Sequence, residues 1–249
     1  MILNTNIASL NTQRNLYATN NAMQKSLEKL SSGYRINRAA DDAAGLAISE
    51  TMKAQINGLN QAKRNAQDGI SLIQTAEGAL NEVHAILQRL NELAVQAANG
   101  TYSERASDDE PSDLANIQKE VKSLLIEIDH IANSTKFNGT GLLSAATSST
   151  TNITLQIGAG SSEDDRMTIN LTGANSTVLE VNEISLSSQA SAQAAIGLIG
   201  SAIDKISTQR AELGAYQNRL EHIINNLGTT AENLAAANSR IRDVDMAAE

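Results

Sequence analysis

The residues able to do chemistry are few and badly placed for it. His84, His130 and His222 stand apart, with no metal ligand three or four residues further on, so packed or solvated imidazoles account for them. Gly158-Ala159-Gly160-Ser161 is too short for a dinucleotide loop and runs into Glu163-Asp164-Asp165, whose charge would repel a phosphate. That acidic triplet reads as a solvated turn. Asp41 and Asp42 are adjacent and point apart on a helix, which suits capping better than paired acid–base work. No cysteine is present, which excludes disulfides, thiolate catalysis and Cys-type zinc or iron–sulfur sites. No nucleophile–base pair is readable, and no metal or cofactor is expected. The chain reads as a non-enzyme.

Charge narrows the partners further. The 249 residues carry a net charge of −9 with scattered basic residues; Arg35, Arg38, Lys63 and Arg64 come nearest to a patch. Nucleic acid and anionic membrane need clustered Lys and Arg, so neither is expected as a partner. The start, Met1-Ile2-Leu3-Asn4, lacks the basic-then-apolar pattern of a Sec-type signal, and no run approaches a membrane span.

What remains is helix. Over residues 43–98, Ile48, Met52, Ile56, Leu59, Ala62, Ala66, Ile70, Ile73, Ala76, Leu80, Val83, Leu87, Leu90, Ala94 and Ala97 recur about every 3.5 residues, the spacing of supercoiled helices. At ~1.5 Å per residue this is a rod roughly 84 Å long. Asp41 and Asp42 sit at its start, where carboxylates complement the helix dipole. Gly58, Gly69 and Gly78 within it suggest close approach of neighbouring backbones. Residues 4–31 read as a first helix with a thin stripe (Ile7, Leu10, Tyr17, Met23, Leu27, Leu30), stopped by Ser32-Gly33. Residues 34–42 form a link.

Asn99-Gly100 ends the rod, and an acidic loop follows over 101–111, with Ser112 as a helix cap. Leu114, Ile117, Val121, Leu124, Ile128 and Ile131 make a heptad seam running back along the rod. Phe137-Asn138-Gly139 breaks it, and a Ser/Thr-rich run covers 144–152. Ile153, Leu155 and Ile157, then Met167, Ile169 and Leu171, alternate with polar residues as a hairpin.

From Ser188 a helical seam returns at Ile196, Ile199, Ile203, Ile206, Leu213, Tyr216, Leu220, Ile223, Leu227, Ala231 and Leu234, with Arg210 filling one step. No stop signal precedes Glu249. The expected fold is mainly α: a long antiparallel helical bundle or coiled-coil rod with a small β-hairpin at one end. One Phe, four Tyr and no Trp mean that Ala, Leu and Ile must fill its core.

Several stretches match a known family. They are Ser9-Leu-Asn-Thr-Gln-Arg-Asn-Leu16, Leu27-Glu-Lys-Leu-Ser-Ser-Gly-Tyr-Arg-Ile-Asn-Arg-Ala-Ala-Asp-Asp-Ala-Ala-Gly-Leu-Ala-Ile-Ser49 and Gln67-Asp-Gly-Ile-Ser-Leu-Ile-Gln-Thr-Ala-Glu-Gly-Ala-Leu80. Near the other end are Arg210-Ala-Glu-Leu-Gly-Ala-Tyr-Gln-Asn-Arg-Leu220 and Glu232-Asn-Leu-Ala-Ala-Ala-Asn-Ser-Arg-Ile-Arg-Asp-Val-Asp245. The chain strongly resembles bacterial flagellin, the flagellar filament subunit, over residues 1–143 and 190–249.

The resemblance implies an inner-layer helix and link over 1–42 and the first part of a rod domain over 43–143. It places a short hairpin and loop (144–187) where relatives carry large variable domains. A C-terminal rod helix follows over 188–235, then the start of an inner-layer segment over 236–249. Arg35, Asn37, Arg38, Asp41 and Asp42 fall in the link that serves assembly. Implied partners are other flagellin subunits in a helical filament, the flagellar export machinery and its chaperone, outside the cell. The family continues past residue 245 into a helix that pairs with the N-terminal one, so residues 1–249 are expected to polymerise poorly and to belong to a longer natural chain.

The family is also recognised by the innate immune receptor Toll-like receptor 5. Within Leu87-Gln-Arg-Leu-Asn-Glu-Leu-Ala-Val-Gln96, residues Gln88, Arg89, Leu93 and Gln96 match the receptor-contact motif, with Glu120 as acidic partner. The alternatives are therefore a monomeric immune ligand and a hook–filament junction protein, which shares the general N-terminal pattern. The Ala39–Ile48 run favours flagellin over the latter.

Overall fold

The computed structural model describes residues 6–100, 113–144 and 150–249; the expected acidic loop, the Ser112 cap and residues 145–149 of the Ser/Thr run lie outside them. Four helices dominate: α1 (Ile7–Ser32), α2 (Ala43–Ala97), α3 (Asp113–Ser134) and α4 (Gln189–Arg242). The strands are β1 (Lys136–Phe137), β2 (Thr140–Gly141), β3 (Thr150–Gln156) and β4 (Arg166–Thr172), in two antiparallel pairs. The mainly helical fold with a small β element is as the periodicity predicts. The chain divides into two units, Met1–Gln61 with Asn226–Glu249, and Ala62–Asn225.

The second unit holds the main core. Along α2 the seam is fully buried at Ala66, Ile73, Ala76, Leu80, Val83, Leu87 and Leu90. α4 runs antiparallel to it: Gly100 approaches Gln189, Glu77 pairs with Arg210, and Gly69 faces Leu220. At Gly69 a Cβ would fall on the Leu155 Cδ1 atom of β3, so this glycine admits a strand side chain against the helix. Gly78 has nothing within 4 Å of where its Cβ would stand, so close approach does not explain it.

Two seams, on α3 and α4, differ from the heptad reading. On α3 the buried residues are Leu114, Ile117, Val121, Leu125, Ile128 and Ala132. Leu124 and Ile131 are only half-buried beside them. A straight helix keeps the 3.6 repeat, and over two turns this moves the buried face one residue on. On α4 the step given to Arg210 is taken by Gln209, whose Nε2 donates to the Thr172 carbonyl at 2.8 Å. An amide can satisfy a buried carbonyl without burying charge.

The hairpin pairs Ile153 with Ile169 and Leu155 with Met167, and buries Met167, Ile169 and Leu171. Asn138 and Gly139 turn β1 into β2 with φ of 48° and 82°, as a tight primed turn requires. After β4 the chain forms a strap that sinks Leu179, Val181, Ile184 and Leu186 into the core. Two polar anchors hold it. Asp129 of α3 accepts from the Ser176 backbone N–H (2.7 Å) and hydroxyl (2.9 Å). Gln118 accepts from the Leu186 N–H (2.6 Å) and donates to the Ile184 carbonyl (3.3 Å).

In the first unit, α1 begins at Asn6, whose side chain accepts from the Ser9 N–H, and ends where Gly33 (φ 74°) turns left-handed and donates to the Lys29 carbonyl. None of its residues is buried. The stop signal that the sequence did not show before Glu249 comes from tertiary pairing. α4 stops at Arg242 because the next backbone pairs elsewhere: Tyr34 bridges Asp243, and the Val244 N–H donates to the Gly33 carbonyl at 3.1 Å.

Candidate assembly and recognition surfaces

Several polar groups of link residues 33–42 are tied down. The Arg35 N–H donates to the Arg242 carbonyl at 2.7 Å, and the Arg35 guanidinium donates to the Ile241 carbonyl. Asn37 donates from Nδ2 to the Ser32 hydroxyl at 2.7 Å. Arg38 forms an ion pair with Glu28 at 2.9 Å. Ile36, 2% exposed, is the apolar plug. It explains Gly45, because a Cβ there would come within 2.8 Å of the Ile36 side chain.

The two aspartates divide the capping work. Asp42 caps α2, its carboxylate accepting from the Gly45 N–H at 2.9 Å and its carbonyl from the Leu46 N–H at 3.0 Å. Asp41 instead closes the link turn, accepting from the N–H groups of Arg38 (3.0 Å) and Asn37 (3.2 Å). Those bonds, Arg38's first, hold its carboxyl below the usual aspartate value.

Sequence reasoning missed the residues that clasp this link. The Arg242 guanidinium lies 4.7 Å from the centre of the Tyr34 ring and pairs with Glu50 at 2.8 Å. Tyr34 and Arg242 are too far apart in sequence for any local pattern to join them. The only signal was that both stand in motif stretches, Tyr34 beside Arg35 and Arg242 at the end of the C-terminal one.

The second surface lies on α2 and α3. Arg89 donates to Glu120 from Nε (3.0 Å) and from its terminal nitrogen (2.8 Å), and to Glu92 at 3.0 Å. The two carboxylates, Glu120's first, push the guanidinium further up from its ordinary value, so it stays charged. Gln88 is exposed and lies 3.0 Å from the His84 ring nitrogen Nε2. Gln96 is exposed on the same helix, whereas Leu93 is 2% exposed and packs in the core. Thus Gln88, Arg89, Gln96 and Glu120 present polar groups at the surface, whereas Leu93 lies in the core. His130 and His222 are exposed, and the acidic triplet 163–165 forms a 3₁₀ turn in which Asp165 accepts from the Ser162 N–H and hydroxyl.

Long helices closed by an aliphatic seam in one unit, and a helix with no buried residue in the other, define a helical structural protein that works through surfaces. The family models for the bacterial flagellin N-terminal and C-terminal helical regions match residues 3–148 and 196–249. The chain belongs to the bacterial flagellin family. It is 49% identical to the flagellin of Bacillus subtilis (strain 168) over 276 residues, covering 100% of this chain and 89% of that one. The flagellar filament 33 kDa core protein of Treponema phagedenis is 47% identical over 260 residues, covering 100% and 88%. The crystal structure of Bacillus cereus flagellin matches with a TM-score of 0.53 at 36% identity, over 70% of this chain and 94% of that one. The whole-chain flagellin matches do not favour the hook–filament junction reading. No helix among the described residues is long and apolar enough to cross a membrane.

Proposed function

We propose that this chain is a structural subunit that self-assembles through helix–helix packing into an extracellular flagellar filament. One observation carries the reading. α1 leaves Ile7, Leu10, Leu16, Tyr17, Met23 and Leu27 each more than half exposed, on a chain whose relatives are named as flagellins and filament core proteins. Large apolar side chains exposed in this number along one helix mark it as an interaction element. Residues 1–42 and 236–249 serve the inner layer, with Arg35, Asn37, Arg38, Asp41 and Asp42 setting the link's shape. Residues 43–143 and 188–235 form the rod layer, and 144–187 replace the variable domains. Delivery through the flagellar export machinery with a chaperone follows from this reading.

The test is seeded growth. Labelled chain is mixed with sheared filaments, pelleted and viewed by negative stain. Wild-type chain is expected to pellet with the seeds weakly but measurably, and Leu16→Glu/Met23→Glu chain to stay in the supernatant. Equal pelleting of both would sink the reading.

A second activity is supported by the exposed Arg89–Glu120 pair. We infer that Gln88, Arg89, Gln96 and Glu120, backed by Leu93, form a contact for Toll-like receptor 5. Arg89→Glu is expected to abolish signalling by monomer in receptor-bearing cells; full signalling by that variant would refute the contact.

A further inference from the structure

Among the described residues, one buried polar atom without a partner lies beside the recognition surface: Nδ1 of His84. The half-buried ring stands on α2 one turn before Gln88, which is exposed. Its other nitrogen, Nε2, is 3.0 Å from the Gln88 amide nitrogen. Gln88 is followed by Arg89, which Glu92 and Glu120 hold.

An amide nitrogen donates and cannot accept. With that nitrogen against the ring, Nε2 must be bare and the ring proton must sit on Nδ1, so an N–H is buried with nothing to receive it. Turning the planar amide over keeps the contact and its shape but brings Oε1 to the ring. Nε2–H then donates to Oε1, and Nδ1 buries a lone pair instead of an N–H. The second arrangement is the stabler one. A neutral histidine favours the proton on Nε2, and buried N–H groups are left orphaned less often than acceptors.

We propose that His84 is a positioning residue of this surface: it keeps its proton on Nε2, holds Gln88 Oε1 inward and leaves the Gln88 NH2 group facing solvent. The surface therefore offers a donor at Gln88 beside the Arg89 guanidinium. The group it fits on a partner is an acceptor oxygen, a carbonyl or a carboxylate. The use of that donor rests on the receptor reading above; the orientation of the amide does not.

The test has two arms. The first records the long-range ¹H–¹⁵N spectrum of the histidine rings at a pH where they are neutral, with His84 assigned by its absence from His84→Phe chain. A proton on Nε2 and a bare Nδ1 are expected, together with Gln88 NH2 protons that exchange with water as fast as those of free glutamine. A proton on Nδ1, or slowed exchange of the NH2 group, overturns the orientation. The second arm measures signalling by monomer in receptor-bearing cells. Gln88→Lys, which keeps only donors, is expected within about twofold of wild type, and Gln88→Glu, which keeps only acceptors, about tenfold weaker. His84→Phe should weaken signalling about threefold in wild-type chain and not at all in Gln88→Lys chain, a difference that a purely structural role for the ring would not produce. Gln88→Glu signalling as well as or better than Gln88→Lys, or an equal effect of His84→Phe in both backgrounds, overturns the positioning role. The two Gln88 variants judge it even if His84→Phe melts lower than wild type, since position 88 is exposed. Full signalling by Arg89→Glu overturns the receptor reading instead, and the first arm still judges the amide.

Discussion

Replacing Arg242 with Ala is the sharpest probe of the first unit. Its guanidinium does two things at once: it covers the Tyr34 ring at 4.7 Å and pairs with Glu50 at 2.8 Å. A cation over an aromatic face contributes roughly 0.5–2 kcal/mol, depending on how dry it is. The Glu50 side chain is 53% exposed, so solvent screens the ion pair to about 0.2–1 kcal/mol. Together the loss is about 1–3 kcal/mol, or roughly a 5- to 150-fold rise in local opening. Two amides report on that opening: Arg35 N–H, bonded to the Arg242 carbonyl, and Val244 N–H, bonded to the Gly33 carbonyl. Hydrogen exchange at both should speed up by that factor in Arg242→Ala. The Leu186 amide, held by Gln118 in the other unit, should not change. Arg242→Lys keeps a charge but loses the planar group, so it should fall between. Less than twofold acceleration at both amides in Arg242→Ala would refute the clasp.

In α2, Gly78→Ala should stabilise the chain by about 1 kcal/mol through helix propensity, since nothing stands in the way. Gly69→Ala should forfeit that gain, because overpacking against Leu155 costs about 1–3 kcal/mol; thermal melts that fail to rank Gly78→Ala above Gly69→Ala would count against the packing described. Asp129→Ala strips two charge-assisted bonds from buried Ser176 and should cost about 2–4 kcal/mol in urea unfolding, an unchanged midpoint being the contrary result. Asp41 has a folded pKa below its ordinary 3.8, so its contribution is fully present above 3.8 and is lost as the pH falls through the lower folded value. Exchange at the Asn37 and Arg38 amides should therefore accelerate below pH 3.8 relative to the intrinsic rate. Asp41→Ala should abolish that pH dependence, and an identical dependence in the variant would count against the capping role.

How legible the fold was depended on how local its cause was. The α2 seam from Ala62 to Ala97 could be read because each buried residue follows from the previous one by helix geometry. The Gly33 stop and the β3–β4 alternation were legible for the same reason. Farther out the reading degraded. Ile48 belongs to the same periodic stripe yet is 48% exposed, because periodicity marks a face and not what covers it. The strap after β4 was not seen as core, since Leu179, Val181, Ile184 and Leu186 follow no regular period; Asp129 and Gln118 position them from another element. The end of α4 was invisible for a similar reason. Its termination is caused by backbone partners at Gly33 and Arg35, and the helical pattern of 236–242 carries no trace of them.

The surfaces divide along the same line. The Arg89–Glu120 contact was reachable from the family motif, whereas Gln209 was hidden by a single-residue shift of the seam. That shift has energetic meaning. A seam that runs Ile206, Gln209, Leu213 interrupts aliphatic packing with a polar group, which a chain built only for stability would avoid. Gln209 recovers part of that cost through the Thr172 carbonyl. The first unit leaves stabilisation unspent in a different currency: each exposed large apolar residue of α1 represents roughly 1.5–3 kcal/mol of burial. That apolar area is free energy a neighbouring copy can recover by covering it, so assembly through α1 would take its strength from hydrophobic burial.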